Sequence, residues 1–187
     1  MKKPEDIFEK IGIDQSQASL WSTVFKHKIT LKKGEIWLKE GEVCQHLGII
    51  VKGMCRHGFT NSEGDDITRW VSLESDIITS LSSFISGDRS NESIQAIATS
   101  EILFADKHDW LLFFSRYESV RQYWTKTLEQ YLIGLEERLF NQISKKAQDR
   151  YNYLHNKYPR LIREVPNKYI ASILGINSRH LSRLRLK

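Results

Sequence analysis

The stretch VPNKYIASILGINSRHLSRLRLK, Val165–Lys187, decides the reading of the whole chain. Pro166 fits the first turn of a helix, where its missing N–H costs nothing. Tyr169, Ile170, Ile173 and Leu174 then share one apolar face, and Ala171 is small enough to let a second helix cross closely. Gly175 falls where the first helix must stop, because a left-handed conformation costs glycine little. Ile176 plugs the angle, Asn177 or Ser178 caps a second helix, and Leu181 and Leu184 turn inward. Ser178, Arg179, Ser182 and Arg183 remain outward, with His180 and Arg185 beside them. An ordinary αα-corner with an Arg-rich face would share much of this pattern. The turn glycine, the alanine five residues before Ile176 and the local charge favour a helix-turn-helix. Arg can bond guanine O6 and N7 together, and Ser can bond bases or phosphates.

The charge of the chain is distributed to match. Residues 141–187 hold eleven Lys/Arg against Asp149 and Glu164, an excess of nine, whereas residues 1–140 carry a net charge of −4. The overall +5 of the 187 residues therefore averages an acidic body and a basic end. A basic end seeks a polyanion, although a solvated lysine-rich face would give the same count.

Upstream, residues 25–108 contain short Ile/Val/Trp-rich runs between glycines 34, 41, 48, 53, 58 and 64. Ile36–Leu38, Leu47–Val51 and Ile67–Leu73 read as strands, and Asn61-Ser62-Glu63-Gly64 as a hairpin turn, in a sandwich or barrel. Residues 4–23 read as a short amphipathic helical region carrying Ile7, Phe8, Ile11, Ala18, Leu20 and Trp21. From 108 to 142 the period becomes helical. Val120, Trp124, Leu128, Tyr131, Leu135 and Leu139 recur at three- and four-residue steps, an apolar stripe fit to pack on its own domain, on a symmetry mate, or on both. Ser144 reads as the N-cap of a following helix that Tyr158-Pro159 ends.

Composition removes other classes. With 40% hydrophobic and 11% aromatic residues the chain can bury a core, which excludes disorder. Two cysteines, Cys44 and Cys55, cannot make a four-cysteine zinc or iron–sulfur site within one chain. The N-terminal MKKPEDIFEKIGID has no apolar h-region, and no run approaches a membrane span, so a cytoplasmic protein without a membrane partner is expected. No Ser-His-Asp spacing, metal-ligand pattern, Walker loop or GxGxxG is present, and no catalytic or metal residue is assigned. His108-Asp109 and Asp65-Asp66 read as cap and turn residues.

With these motifs in place the sequence resembles the Crp/Fnr family of bacterial transcription regulators. The resemblance rests on Lys33-Gly34-Glu35, Glu40-Gly41, Ile49-Ile50-Val51-Lys52-Gly53-Met54-Cys55-Arg56, and more specifically on Ile170-Ala171-Ser172-Ile173-Leu174-Gly175-Ile176 and Leu181-Ser182-Arg183. It implies an α+β chain with three parts. The first is an N-terminal cyclic-nucleotide-binding-like β-roll, a jelly-roll-like double-stranded β-helix, over 1–116. A dimerisation helix over 117–142 and an all-α helix-turn-helix domain over 143–187 follow. It implies a homodimer on a palindromic double-stranded DNA site, with RNA polymerase as a further candidate partner. Base reading is expected from Ser178, Arg179, Ser182 and Arg183, and phosphate contact from Lys145, Lys146, Arg150, Lys168, Arg185 and Lys187. Dimer contact is expected from Val120, Trp124, Leu128, Tyr131, Leu135 and Leu139.

Three departures qualify the resemblance. In cyclic-AMP-responsive relatives a Glu holds the ribose and an Arg-Ser pair holds the phosphate. Here the Glu position falls at Ser80, and the Arg-Ser position at Ser90-Asn91 or Arg89-Ser90, flanked by Asp88 and Glu92. Acids beside an anion site oppose cyclic-nucleotide binding. The candidate effector pocket is Ser80, Ser82, Ser83, Arg89, Ser90 and Tyr131, for an unknown small molecule or none. No N-terminal cysteine cluster is present for iron–sulfur sensing, while His27, His46, His57 and His108 leave haem open, a lone His being more often structural. Only four residues follow Arg183, where relatives continue into a wing, which reads as a wingless or truncated variant. The rival expectation is a ligand-binding or protein-interaction module of the same fold without DNA binding.

Overall fold

Two antiparallel four-stranded sheets face each other across an apolar core, ordered β1-β8-β3-β6 and β2-β7-β4-β5. The strands are β1 (His27–Leu31), β2 (Ile36–Leu38), β3 (His46–Lys52), β4 (Met54–Thr60), β5 (Asp66–Leu73), β6 (Ile77–Ile78), β7 (Ser93–Ala96) and β8 (Ser100–Asp106). The helices are α1 (Pro4–Lys10), α2 (Gln15–Ser22), α3 (Leu81–Ser86), α4 (Lys107–Arg116), α5 (Glu118–Ser144), α6 (Ala147–Lys157), α7 (Pro159–Glu164), α8 (Asn167–Ile173) and α9 (Ser178–Leu184). The computed structural model describes residues 4–185. This is the expected mixed α+β roll with C-terminal helices.

The three strands read from Ile36, Leu47 and Ile67 are present, each within a residue of the predicted start. The β4–β5 hairpin closes through Asn61, whose Oδ1 accepts from the Glu63 and Asp65 N–H groups at 3.0 and 2.8 Å. Such a local side-chain acceptor replaces backbone partners in a tight turn. Ile49, Ile50, Ile78, Ile94 and Ile102 fill the space between the sheets and are fully buried.

Trp21 organises the N-terminal end of this core. Its ring lies 5.0–6.3 Å from Phe8, Phe25, Trp110, Phe113 and Tyr123, at mostly tilted or edge-on angles. Tilted aromatic pairs add to the burial of large rings. The helical region at 4–23 is divided: α1 and α2 are separated at Gly12, and Asp14 caps α2 by accepting from the Ser16 N–H at 2.8 Å.

The helical period at 108–142 is carried by α4 and α5, which Tyr117 separates in an extended conformation (φ −116°, ψ 120°), and α5 lies where the helix over 117–142 was expected. One further expectation is corrected. Ser144 is not an N-cap. It is the last residue of α5, its hydroxyl donates to the Phe140 carbonyl inside the same helix, and Lys146 precedes α6.

Truncating the aromatic hub should be costly. Trp21→Ala is expected to destabilise the fold by about 3–5 kcal/mol, read as a shift in the urea midpoint without change in slope.

Candidate nucleic-acid interface and effector cleft

The helix-turn-helix is built as its sequence requires. Gly175 adopts φ +63°, the left-handed turn conformation. The Ile176 N–H reaches back to the Ala171 carbonyl at 3.0 Å, which closes the turn. Asn177 rather than Ser178 is the cap, with its side chain accepting from the His180 N–H at 2.8 Å. Leu181 is buried in one cluster with Ile170, Ala171 and Leu174, and Leu184 is buried as well. Ser178, Arg179, Ser182 and Arg183 all lie exposed on the other side of α9.

The predicted phosphate contacts divide. Lys145, Lys146 and Lys168 are exposed, and the Lys168 ammonium rests 4.6 Å from the Tyr169 ring centroid. Arg150 has a different task. Its two terminal nitrogens donate to the carbonyls of Lys145 and Leu174 at 2.8 and 2.9 Å, joining the ends of α5 and α8. Arg150 thus has a structural task beside the one expected of it. Arg185 donates to the Ile162 carbonyl at 3.1 Å yet is exposed. Lys187 lies outside the described residues.

These helices are docked on the roll. Ser172 of α8 bridges the edge strand β5: its Oγ accepts from the Thr68 N–H at 2.8 Å and donates to the Thr68 carbonyl at 3.3 Å. An edge strand otherwise offers both groups unpaired. Trp70 meets Tyr158 edge-on at 5.0 Å, and the Arg138 guanidinium lies 4.2 Å from the Trp70 ring centroid. Val71, Leu73 and Ile97 of the roll share one buried cluster with Leu154, Leu161, Ile170 and Leu181.

The dimer stripe also divides. Val120 and Trp124 are buried in the core of their own roll and are not available to a partner. Leu128 is half-buried against the same core. Tyr131, Leu135 and Leu139 are exposed, and so are Leu132, Ile133, Phe140 and Ile143, the last with 78% of its surface free.

Between α5, α3 and the second sheet lies a cleft of about 800 Å³. It brings together Ser80, Ser82 and Tyr131 of the predicted pocket, and adds Phe59, Leu81, Ile85 and Leu135 as apolar walls. The other predicted members do not line it. Ser83 is buried behind α3, accepting from the Cys44 N–H and donating to the Asp88 carbonyl. Ser90 is buried with its Oγ 2.8 Å from Ser80 Oγ and 2.7 Å from the Glu92 carbonyl oxygen. Arg89 is exposed and donates to the Gly41 carbonyl at 2.8 Å.

The cation of the cleft is Arg69, which the sequence reading missed. It forms a two-point bond with Glu92, Nε to Oε2 at 2.8 Å and Nη2 to Oε1 at 2.9 Å. Glu92 is 8% exposed, and His57 approaches it at 3.4 Å while its other ring nitrogen meets Ser72 Oγ at 3.1 Å. Burial opposes the Glu92 carboxylate, but His57 and Arg69 outweigh burial and hold its pKa below the ordinary value. Arg69 is therefore already paired with a carboxylate. The pairing could have been suspected from strand order alone only by knowing that β5 and the segment before β7 meet around β4.

The comparisons follow from this geometry. Residues 28–117 match the family of cyclic nucleotide-binding domains. The chain is similar in structure to FixK2 from Bradyrhizobium japonicum (TM-score 0.72, 19% identity, covering 86% of this chain and 82% of that one). It is similar to the catabolite activator protein of Thermus thermophilus (TM-score 0.59, 18% identity, 96% and 84%). It is similar also to a transcriptional regulator of the crp/fnr family from Eubacterium rectale (TM-score 0.66, 16% identity, 92% and 82%). The comparison with curated proteins finds no match. The class is thus a cyclic nucleotide-binding-type roll carrying a C-terminal helix-turn-helix. That is the fold of the Crp/Fnr transcription regulators. Among the described residues no helix is long and apolar enough to cross a membrane.

The Glu92 network sets an acid limit. A carboxylate whose folded pKa is depressed contributes stability above its unfolded pKa, near 4.3, and loses it as pH falls through the lower folded value. Glu92→Gln should flatten stability against pH below about 4.3 and cost about 1–3 kcal/mol at neutral pH, checked by thermal melts across the acid range.

Proposed function

We propose that the chain is a homodimeric, sequence-specific DNA-binding transcription regulator of Crp/Fnr type that does not respond to cyclic AMP. The observation that carries this reading is the exposed face of α9, where Ser178, Arg179, Ser182 and Arg183 stand clear of the packed Leu181 and Leu184. A capped helix with arginines near its N-terminus suits the major groove. Lys145, Lys146, Lys168 and Arg185 supply the non-specific attraction to phosphate.

Dimerisation is supported by the C-terminal half of α5. Its exposed Tyr131, Leu132, Leu135, Leu139, Phe140 and Ile143 make an apolar surface of a kind that soluble monomers rarely leave open. A second copy of α5 covers it, and a two-fold protein reads a palindromic site. The pairing of Arg69 with Glu92 supports the reading that the chain does not respond to cyclic AMP. The effector, if the cleft takes one, is a molecule with a largely apolar body matching Phe59, Leu81, Ile85 and Leu135. A cytoplasmic location and RNA polymerase as the further partner go with this reading.

Arg183→Ala should weaken binding to the specific site by about 1–3 kcal/mol and relax its sequence preference. Fluorescence anisotropy on the chain's own upstream region and on random DNA measures both. Equal loss on the two DNAs refutes base reading by Arg183. Wild-type affinity should fall steeply and log-linearly with salt, and a flat profile refutes DNA binding.

A further inference from the structure

At one end of the first sheet, three strands gather imidazoles and carboxylates that lie far apart in sequence. His27 opens β1, His46 opens β3 and Asp106 closes β8. The register sets His46 opposite Asp106, and His27 opposite Phe104, two residues earlier on the same strand face. Asp106 Oδ2 lies 3.3 Å from His27 Nε2, and Asp106 Oδ1 lies 3.0 Å from His46 Nδ1. Phe104 contacts both rings, stacked on His27 at 5.3 Å and edge-on to His46 at 5.1 Å, which fixes their orientation. Asp109, one turn into α4, places a carboxylate oxygen within 4.8 Å of the ligand atoms of His27 and Asp106.

Two features distinguish this cluster from ordinary surface ion pairing. Asp106 is the N-cap of α4, yet its side chain makes no capping bond. An N-cap Asp normally accepts from the first turn, and here the carboxylate is turned to the imidazoles. His46 Nδ1 is shielded from solvent and makes no aligned hydrogen bond, although a carboxylate oxygen is 3.0 Å away. The 3.0 Å approach sets the Asp106 carboxylate between the two imidazoles, with His27 Nε2 at 3.3 Å on its other oxygen. Ligands about 2.0–2.1 Å from zinc at a tetrahedral angle stand roughly 3.3 Å apart.

We propose that His27, Asp106 and Asp109 form a binding site for a divalent transition-metal ion of the zinc type, with His46 holding the second carboxylate oxygen of Asp106. Imidazole nitrogen mixed with carboxylate oxygen suits Zn²⁺ and Co²⁺. It does not suit Ca²⁺, which takes six to eight oxygens, or Mg²⁺. Lys26 Nζ holds Asp109 Oδ2 at 2.7 Å. Both groups are partly exposed, at 51% and 32% of their side chains, and such a pair is weak enough for a metal ion to displace. A bound ion ties β1, β3 and β8 to the first turn of α4, which leads through Tyr117 into α5. The site is separate from the cleft and from α9, so its existence does not depend on DNA binding.

The test uses the full chain, stripped with a chelator. It is titrated with Zn²⁺ against a chromophoric chelator, and with Co²⁺ by visible spectroscopy. One ion per chain is expected, with the intense d–d bands of low-coordinate Co²⁺. His27→Gln and His46→Gln should each weaken Zn²⁺ binding about tenfold or more, with folding checked by circular dichroism, while His155→Gln on α6 should leave it unchanged. Lys26→Met removes no ligand and frees Asp109, so it should tighten binding several-fold. It keeps the proposal testable even where the histidine variants fail to fold. No bound ion in the wild-type chain overturns the proposal, and so does Zn²⁺ affinity that is the same in wild type, His27→Gln, His46→Gln and Lys26→Met.

Discussion

One helix has to serve two surfaces, and the structure is arranged around how α5 divides itself between them. Its N-terminal half spends Val120 and Trp124 on the core of its own roll, where Trp124 meets Trp110 at 5.1 Å. Leu128 marks the change. Beyond it, the same stripe runs out from the roll, and Tyr131, Leu135 and Leu139 are left uncovered. Because the first half is clamped by large buried rings, the direction of the second half is set. That direction places Tyr131 and Leu135 over the cleft. It also brings Gly134 to a point where an added Cβ would stand 3.2 Å from the Tyr158 hydroxyl, a tight contact in which that side-chain end would have to give by a few tenths of an ångström. Glu137 then holds both Tyr153 and Lys157 of α6.

The cleft shows how one paired charge can set the chemistry of a site. Its cavity is bounded by the roll, by α3 and by α5, and it contains a guanidinium. A free guanidinium there would attract a phosphate. Arg69 is instead gripped at two points by Glu92, and Glu92 is itself backed by His57. Removing either partner would leave a charge with poor solvation, so the network holds itself in place. What the cleft presents to a ligand is mainly Phe59, Leu81, Ile85 and Leu135, a wall that rewards apolar surface rather than charge.

The parts of this structure written in local pattern could be read from the sequence, and the parts made by strand pairing could not. The helix-turn-helix follows from the positions of Ala171, Gly175, Asn177 and Leu181, because each acts on neighbours within a few residues. The hairpin at Asn61–Gly64 was legible for the same reason. The split of the apolar stripe was not, since a helical period shows which residues share a face but not what covers it. The cleft was only half legible: Ser80, Ser82 and Tyr131 came together, whereas Arg69 enters from a strand more than twenty residues away from Glu92. Arg89 was misplaced because the segment between α3 and β7 has no repeating pattern that says which way a side chain turns. His27 and His46 stood out only among four scattered histidines and Asp106 not at all, as their proximity exists only once β1, β8 and β3 lie side by side.

Strand β5 shows what these long-range pairings accomplish together. Thr68 and Arg69 are successive residues, so their side chains leave opposite faces of the strand. Arg69 holds Glu92 in the cleft, while the Thr68 backbone is bridged by Ser172 of α8. The first helix of the helix-turn-helix is therefore hydrogen-bonded to the peptide next to the cleft's arginine. Trp70, one residue on, is pinned between Arg138 of α5 and Tyr158 at the start of α7. Three consecutive residues of one edge strand thus touch the cleft, the long helix and the helix-turn-helix in turn.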